Sequence, residues 1–345
     1  MVRTALQKLS TKENLTEREA IEAMNCVMEG NATQSQIGGF LTALRFKGET
    51  VEEIVGFARV MREKSAKVPH KLQYCIDTCG TGGDGARTFN ISTAASFIAA
   101  AAGAKIAKHG NRAMSSKSGS ADVLEALGVN IGLSPELVGK SIEEVGVGFM
   151  FAQLFHQSMK HAAGVRKELG IRTVFNILGP LTNPAGAKGQ LLGVFDGNIT
   201  GTMAEALKML GAERALVVHG CDGLDEITTT GATKVAELKD GVIKEYYIDT
   251  TELGIPRAEP MELAGGDAAY NAGVISSILA GEKGARRNIV LVNAAAAIYV
   301  AKLAGDIKEG LRIAESMIDS GLAAAKLEEL RRFTEAAAGT REVSA

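Results

Sequence analysis

From residue 72 onward, short apolar runs alternate with stretches of helical period, and this alternation constrains the fold more than any other feature. "LQYCID", "KIAKH", "VGFMFA", "QLLGVF" and "RALVVHG" are too short to be helices of their own, and most of the stretches between them carry helical patterns. Strands alternating with helices give a largely parallel sheet with helices on its faces. "TKVAELKDGVIKEYYI" breaks the rhythm, because it alternates around Asp240-Gly241, the signal of a hairpin. The first 65 or so residues follow another grammar. Thr16 with Glu19, Thr33 with Gln36 and Thr50 with Glu53 have the spacing of capping boxes, each opening an amphipathic helix. Ile21, Met24 and Met28, then Ile37, Phe40, Leu41 and Leu44, then Ile54, Phe57, Ala58 and Met61 form the inward faces. The chain therefore reads as an α/β protein with a small N-terminal helical domain, residues 1–70, and a larger α/β domain with a mostly parallel central sheet, residues 71–345. Part of about 160–185 is expected to pack on the helical domain, and the last 75 or so residues are again helical.

Composition narrows the function classes. The 345 residues are 46% hydrophobic, enough for two domains, and the formal net charge is −2. That charge excludes a global basic field for nucleic acid or an anionic membrane, so any attraction for anions is local. The opening stretch lacks a signal-peptide core and the alanine-rich apolar runs are too short to span a bilayer. Cys26, Cys75, Cys79 and Cys221 are scattered with no second pair or histidine cluster. They read as reduced thiols, not a zinc set, and a cytoplasmic location is expected.

The chemistry sits in the loops that follow the strands. "CGTGGDG", Cys79 to Gly85, leads from a strand to a helix beginning near "NIST". Glycines allow positive φ and close backbone approach, and Asn90, Ser92 and Thr93 fall at a helix N-terminus that favours phosphate. The spacing is neither GxGxxG nor a Walker loop, and a plain tight turn is the bland alternative. The second loop, "KHGNRAMSSKSGSAD", offers Lys108 and Arg112 as charge and several serines as hydroxyls, while Ser118 or Ser120 is equally suited to cap the next helix. Two such loops at the carboxyl ends of adjacent parallel strands converge on one crevice. The third, "HGCDGLDEITTTG", carries Asp225 and Glu226, a pair suited to Mg²⁺ beside phosphate. In "HAAGVRKELGIRTVFNILGPLTNP", residue type does not choose among Lys160, Arg166, Lys167 and Arg172, and the lysines and Arg172 read as surface. An arginine there is suited to gripping a planar carboxylate.

"GTGGD", "FNIST", "KHGNR", "SSKSGSADVLEALG", "RTVFNILGPLTNP" and "DGLDEI" closely resemble the anthranilate phosphoribosyltransferase family, in order from the N-terminal helices to about residue 245 and more loosely beyond. The resemblance implies a nucleoside phosphorylase / phosphoribosyltransferase class III-like arrangement, with the active site between the helical and α/β domains. It implies a homodimer paired through the helical domains, Mg²⁺ as cofactor, and 5-phosphoribosyl 1-diphosphate (PRPP) and anthranilate as substrates. The family's PRPP site falls on Gly80, Gly83, Asp84, Thr88, Asn90, Ser92, Thr93, Lys108, Ser116 and Ser120. Its metal site falls on Ser92, Asp225 and Glu226, and its anthranilate site on Gly80, Asn111 and Arg166, with His109 and Pro180 nearby. Met114 and Arg87 stand where smaller residues are usual, but on no carried-over ligand position. No dedicated general base is required, because the amine proton becomes acidic only as the C–N bond forms. His109 is a candidate base, with a positioning or core role as the competing reading. The rivals are a pyrimidine nucleoside phosphorylase on the same fold and a non-catalytic nucleotide-binding homologue. An amidotransferase or anthranilate synthase partner is not inferable from sequence.

Overall fold

The computed structural model describes residues 1–83, 85–113 and 117–342, the last five by backbone alone. Four helices open the chain: α1 (Val2–Ser10), α2 (Glu17–Met28), α3 (Gln34–Lys47) and α4 (Val51–Lys64). All three expected capping boxes form, and each threonine accepts the N–H of its partner three residues on. The expected inward residues are buried except Ile21, which is half-exposed. Phe40 and Phe57 meet edge to face at 5.8 Å.

Strands and helices then alternate: β1 (Ile76–Gly80), α5 (Ile91–Ala101), β2 (Ile106–Gly110), α6 (Ser120–Ala126), α7 (Pro135–Glu144) and β3 (Val147–Phe151). Next come α8 (Ala152–Phe155), α9 (Lys160–Leu169), α10 (Phe175–Leu178), β4 (Gly189–Gly193), α11 (Thr200–Met209) and β5 (Arg214–Gly220). The hairpin β6 (Ala232–Lys239) and β7 (Val242–Asp249) follows, turning through Asp240 and Gly241 at φ 51° and 74°. Helices α12 (Ala268–Leu279), α13 (Ala285–Val300), α14 (Ile307–Asp319) and α15 (Leu322–Glu342) complete the chain. Among the described residues, no helix is long and apolar enough to cross a membrane.

The sheet order is β3-β2-β1-β4-β5-β6-β7, with five parallel strands and then two antiparallel ones. The first strand starts later than the apolar run "LQYCID" implied, because pairing with β2 begins at Ile76. Side chains alternate between two cores. Leu191, Leu216 and Val218 face a core shared with α5 and α13, whereas Leu192, Ala215 and Val217 face one shared with α11 and the helical bundle. Ala162 and Val165 of α9 and Val174, Phe175, Ile177 and Leu178 around α10 join that second core. Arg62 of α4 adds a polar tie, donating to the carbonyls of Leu181 at 2.6 Å and Leu210 at 3.0 Å. Burial pushes this guanidinium down to about 10.

Glu53 does more than close a capping box. It is fully buried and accepts from the N–H groups of Leu15 and Thr50, both at 2.8 Å, and from Lys47 Nζ at 2.9 Å. Lys47 is itself almost fully buried. Removing one partner of such a pair leaves an uncompensated charge and two orphaned N–H groups. Glu53→Ala is therefore expected to cost about 3–5 kcal/mol in denaturant unfolding, against about 1 kcal/mol for Thr33→Ala, which loses only a cap. Equal losses for the two variants would contradict this ranking.

Candidate active site

Strand β1 is the central strand of the site, since β2 lies on one side of it and β4 on the other. The order in which strands are added switches sides there, and this is where open parallel sheets bind ligands, beyond the carboxyl ends of the strands. The 225–226 segment, which follows β5, lies across these ends. A Cβ on Gly80 would fall 2.3 Å from Asp225 Oδ2, and one on Gly193 1.6 Å from the Asp225 carbonyl oxygen. Only glycine at the ends of β1 and β4 permits this approach. Asp225 Oδ2 accepts the Gly82 N–H at 2.8 Å, and Glu226 Oε1 accepts the Ser92 N–H at 3.0 Å. Asn90 is the N-cap of α5 but makes no side-chain cap bond, so Glu226 caps that helix from another loop.

Lys108 comes from the C-terminal half of β2, almost fully buried, and donates to the Thr78 carbonyl and to Ser92 Oγ at 3.3 Å. Asp77 compensates its charge from one strand away. Its Oδ1 accepts the His109 N–H at 3.2 Å and its Oδ2 accepts from Asn183 Nδ2 at 2.8 Å. Complete burial pushes the Asp77 carboxyl up to about 6, while the Lys108 charge pulls the other way. Thr93 is buried in the first turn of α5, and its hydroxyl has no partner among the described residues. The hard oxygens of Ser92, Asp225 and Glu226 thus surround one helix N-terminus beside an orphaned hydroxyl. Two carboxylates and a hydroxyl suit Mg²⁺, which takes its remaining ligands from water and substrate phosphate.

Several expected residues play a different part from the one their type implied. Asn90 spends its amide on protein, donating to the Ser118 carbonyl at 3.1 Å and accepting from Asn271 Nδ2 at 3.0 Å. Thr88 bridges to Ala264, and the Gly265 N–H donates to the Arg87 carbonyl at 2.9 Å. Arg112 is not free positive charge for an anion, because Asp122 and Glu125 pair with it at 2.8 and 2.5 Å. Neither Ser118 nor Ser120 caps α6: Gly119 is the N-cap, and Asp122 accepts its N–H at 2.9 Å. Ser120 Oγ donates instead to the Asn111 carbonyl at 3.4 Å. Asp84 and Ser116 lie outside the described residues.

Of the expected anthranilate residues, Arg166, His109 and Pro180 lie at or beside residues 175–181, whereas Gly80 meets Asp225 and the Asn111 side chain accepts the Arg112 N–H at 2.8 Å. Arg166 stacks over the Phe175 ring at 5.1 Å, with no carboxylate partner among the described residues, and burial lowers its pKa. The Gly179 backbone partly offsets the effect of burial on His109, and the carbonyl of the next residue, Pro180, accepts from Gln190 Nε2 at 2.7 Å. Asn111 is exposed, two residues beyond His109. Burial pushes His109 down to about 3, helped by His156, whose ring lies 4.9 Å away. A group this weakly basic is a poor proton acceptor, although its Nε2 has no hydrogen-bond partner among the described residues. Sequence reasoning missed His156, Asn183, Gly265, Asn271 and the reach of Arg172. Asn271 left a signal, as a lone amide within the apolar helix "AAYNAGVISSIL".

Comparison with known proteins agrees with this geometry. A glycosyl transferase family helical bundle domain matches residues 3–65 and a glycosyl transferase family a/b domain matches 72–324. The anthranilate phosphoribosyltransferase of Acetivibrio thermocellus is 58% identical over 344 residues, covering 100% of both chains. The chain belongs to the anthranilate phosphoribosyltransferase family. The Thermoanaerobacter member is 57% identical over 96% of this chain and 98% of its own. Among solved structures, the Thermus thermophilus enzyme superposes with a TM-score of 0.91 at 45% identity, covering 96% of this chain and 99% of that one. The Saccharomyces cerevisiae enzyme in complex with PRPP and Mg gives 0.89 at 28% identity, covering 97% and 98%. These relatives carry the transferase name, not that of the rival phosphorylase.

Two predictions follow from the buried groups and the carboxylate pair. His156 is pushed down to about 4 by burial, so both histidines stay neutral in the fold while the unfolded chain titrates them near 6.5. Their contribution is present above pH 6.5 and lost on acidification, at about 1.4 kcal/mol per pH unit for each histidine. Asp77 acts oppositely: its raised pKa gives stability in acid that disappears as pH rises through about 6. The net is about one proton between pH 6 and 4, so His156→Gln is expected to flatten urea-unfolding stability across this range, and an unchanged slope would refute it. The second concerns Asp225 and Glu226, which hold backbone N–H groups that a diphosphate would need. In metal-free buffer, Asp225→Asn with Glu226→Gln should bind inorganic pyrophosphate more tightly than wild type by calorimetry. Weaker binding would show that the carboxylates do not compete for those donors.

Proposed function

We propose that the chain transfers the 5-phosphoribosyl group of PRPP to the amine of anthranilate, giving N-(5-phosphoribosyl)anthranilate and pyrophosphate, as a step of tryptophan biosynthesis. The observation that carries the reading is the meeting of four elements at the β1 end: the glycine loop, the α5 N-terminus, Lys108 and the Asp225–Glu226 pair. The first three suit a diphosphate directly and the carboxylate pair suits its metal ion, so together they gather donors, fixed charge and metal ligands on one side of the sheet. Arg166, His109 and Pro180 lie separately, at or beside the 175–181 segment.

The C1–O bond of PRPP breaks with its electron pair leaving on pyrophosphate, the C1–N bond forms from the amine lone pair, and the amine proton passes to solvent or to the departing pyrophosphate. Loop N–H groups and Lys108 stabilise the leaving anion. Ser92, Asp225 and Glu226 would hold Mg²⁺, which supplies charge neutralisation of the diphosphate. Arg166 and Asn111 orient the carboxylate-bearing acceptor so that its amine lies in line with C1. His109, buried and neutral, shapes the acceptor wall.

A homodimer is part of this reading. Phe46, 82% exposed on α3, is an apolar side chain that pairing through the bundle would cover, and sedimentation analysis tests it. A cytoplasmic location accords with four free cysteines.

Mixing the protein with PRPP, Mg²⁺ and anthranilate should give PRPP-dependent loss of anthranilate fluorescence; no such loss would sink the reading. Arg166→Ala should raise KM for anthranilate on the order of tenfold or more while leaving KM for PRPP within about twofold. Equal effects on the two constants would remove the carboxylate role.

A further inference from the structure

Arg172 lies in the turn beyond α9 and is exposed, as its residue type implied. In the folded chain its guanidinium stacks over the Phe195 ring at 4.1 Å and donates to the carbonyl oxygen of Gly83. Gly83 sits in a run that is expensive to hold. Gly82, Gly83, Gly85 and Arg87 have φ of 65°, 76°, 73° and 53°. Such a left-handed run does not support itself and depends on contacts from outside.

Phe195 supplies two of them. It carries the Arg172 stack, and its own N–H donates to Thr81 Oγ1 at 3.0 Å, at the entry to the same loop. Among the described residues no carboxylate pairs with Arg172, whereas Arg112 is neutralised by Asp122 and Glu125. An arginine fixed by an aromatic face and a carbonyl keeps its full charge for a nearby anion. A carbonyl partner leaves other N–H groups of the guanidinium fork unused.

We propose that Arg172 is a positioning residue for the diphosphate end of PRPP: braced on Phe195, it fixes the Gly83 carbonyl and brings a positive charge to the glycine loop. This rests on the reading that the glycine loop takes the diphosphate.

Steady-state kinetics on the full chain separate the possibilities, with pyrophosphate as a competitive probe. Arg172→Ala should raise KM for PRPP and Ki for pyrophosphate about tenfold, the size of a lost charge-assisted hydrogen bond. KM for anthranilate should stay within about twofold. Arg172→Gln retains a donor for the Gly83 carbonyl without the charge. It should fall between wild type and the alanine variant, with pyrophosphate inhibition less weakened by salt. Phe195→Leu leaves the arginine but removes its brace, and should shift the same constants in the same direction. These last two variants carry the test should the alanine variant fail to fold. Unchanged KM for PRPP in all variants, or equal shifts for both substrates, overturns the proposal. Wild-type protein without PRPP-dependent turnover would instead overturn the functional reading, so the two failures are distinguishable.

Discussion

Asp225 lies across the ends of β1 and β4 because neither strand carries a side chain there. The contacts at Gly80 and Gly193 leave no room for a Cβ, so both glycines are requirements of the site as built. From that approach the rest follows. Asp225 reaches the Gly82 N–H, Glu226 reaches the first turn of α5, and the loop after β5 becomes a strap over the strand whose two neighbours leave in opposite directions. The ligand-facing groups are therefore mutually dependent. The glycine loop is shaped by an acidic segment about 140 residues away, and the helix that would greet a phosphate is capped by a carboxylate from that segment.

Below this surface lies a layer of buried charge that keeps Lys108 usable. An isolated ammonium at this depth would lose its proton or pull the site apart. Asp77 sits on the adjacent strand, raised toward neutrality by burial yet held by Lys108, Asn183 and the His109 N–H. Asn183 also donates to the Ala107 carbonyl at 2.8 Å, so the Asn-Pro turn serves the charge layer as well as reversing the chain. His109 and His156 complete the layer as neutral rings, 4.9 Å apart, each kept uncharged by burial. The donor side and the acceptor side of the cleft thus share one polar floor.

What was legible in the sequence was local. Capping boxes, strand–helix alternation and the Asp240-Gly241 hairpin depend on neighbours within a few residues, and all three appear in the fold. Residues at the strand ends were legible too, because sheet topology fixes where the loops after parallel strands must go. The rest depended on distant partners. Glu53 was legible only as the partner of Thr50 in a capping box, and it is the packing of the α1–α2 connection over it, with Lys47 turned inward, that makes it a buried ion pair. Asn90 looked like a phosphate ligand by its place in "NIST", yet Asn271, far along the chain, takes its carbonyl oxygen. Asn271 itself was only one polar letter in an apolar helix.

The arginines show why residue type could not settle these roles. Arg62, Arg112, Arg166 and Arg172 all carry the same charge and the same fork of donors. What separates them is the company each keeps. Arg62 spends itself on two carbonyls that join the bundle to the sheet layer, and burial lowers its pKa accordingly. Arg112 is neutralised by two carboxylates on one helix and serves to pin its loop. Arg166 and Arg172 each rest on a phenylalanine with no carboxylate among the described residues in reach, one beside the 175–181 segment and one beside the glycine loop. A cation held by an aromatic face is fixed in place without being neutralised, so its field remains available to an incoming anion. A chain with a net charge of −2 can in this way be locally attractive at two points while staying unattractive to polyanions elsewhere.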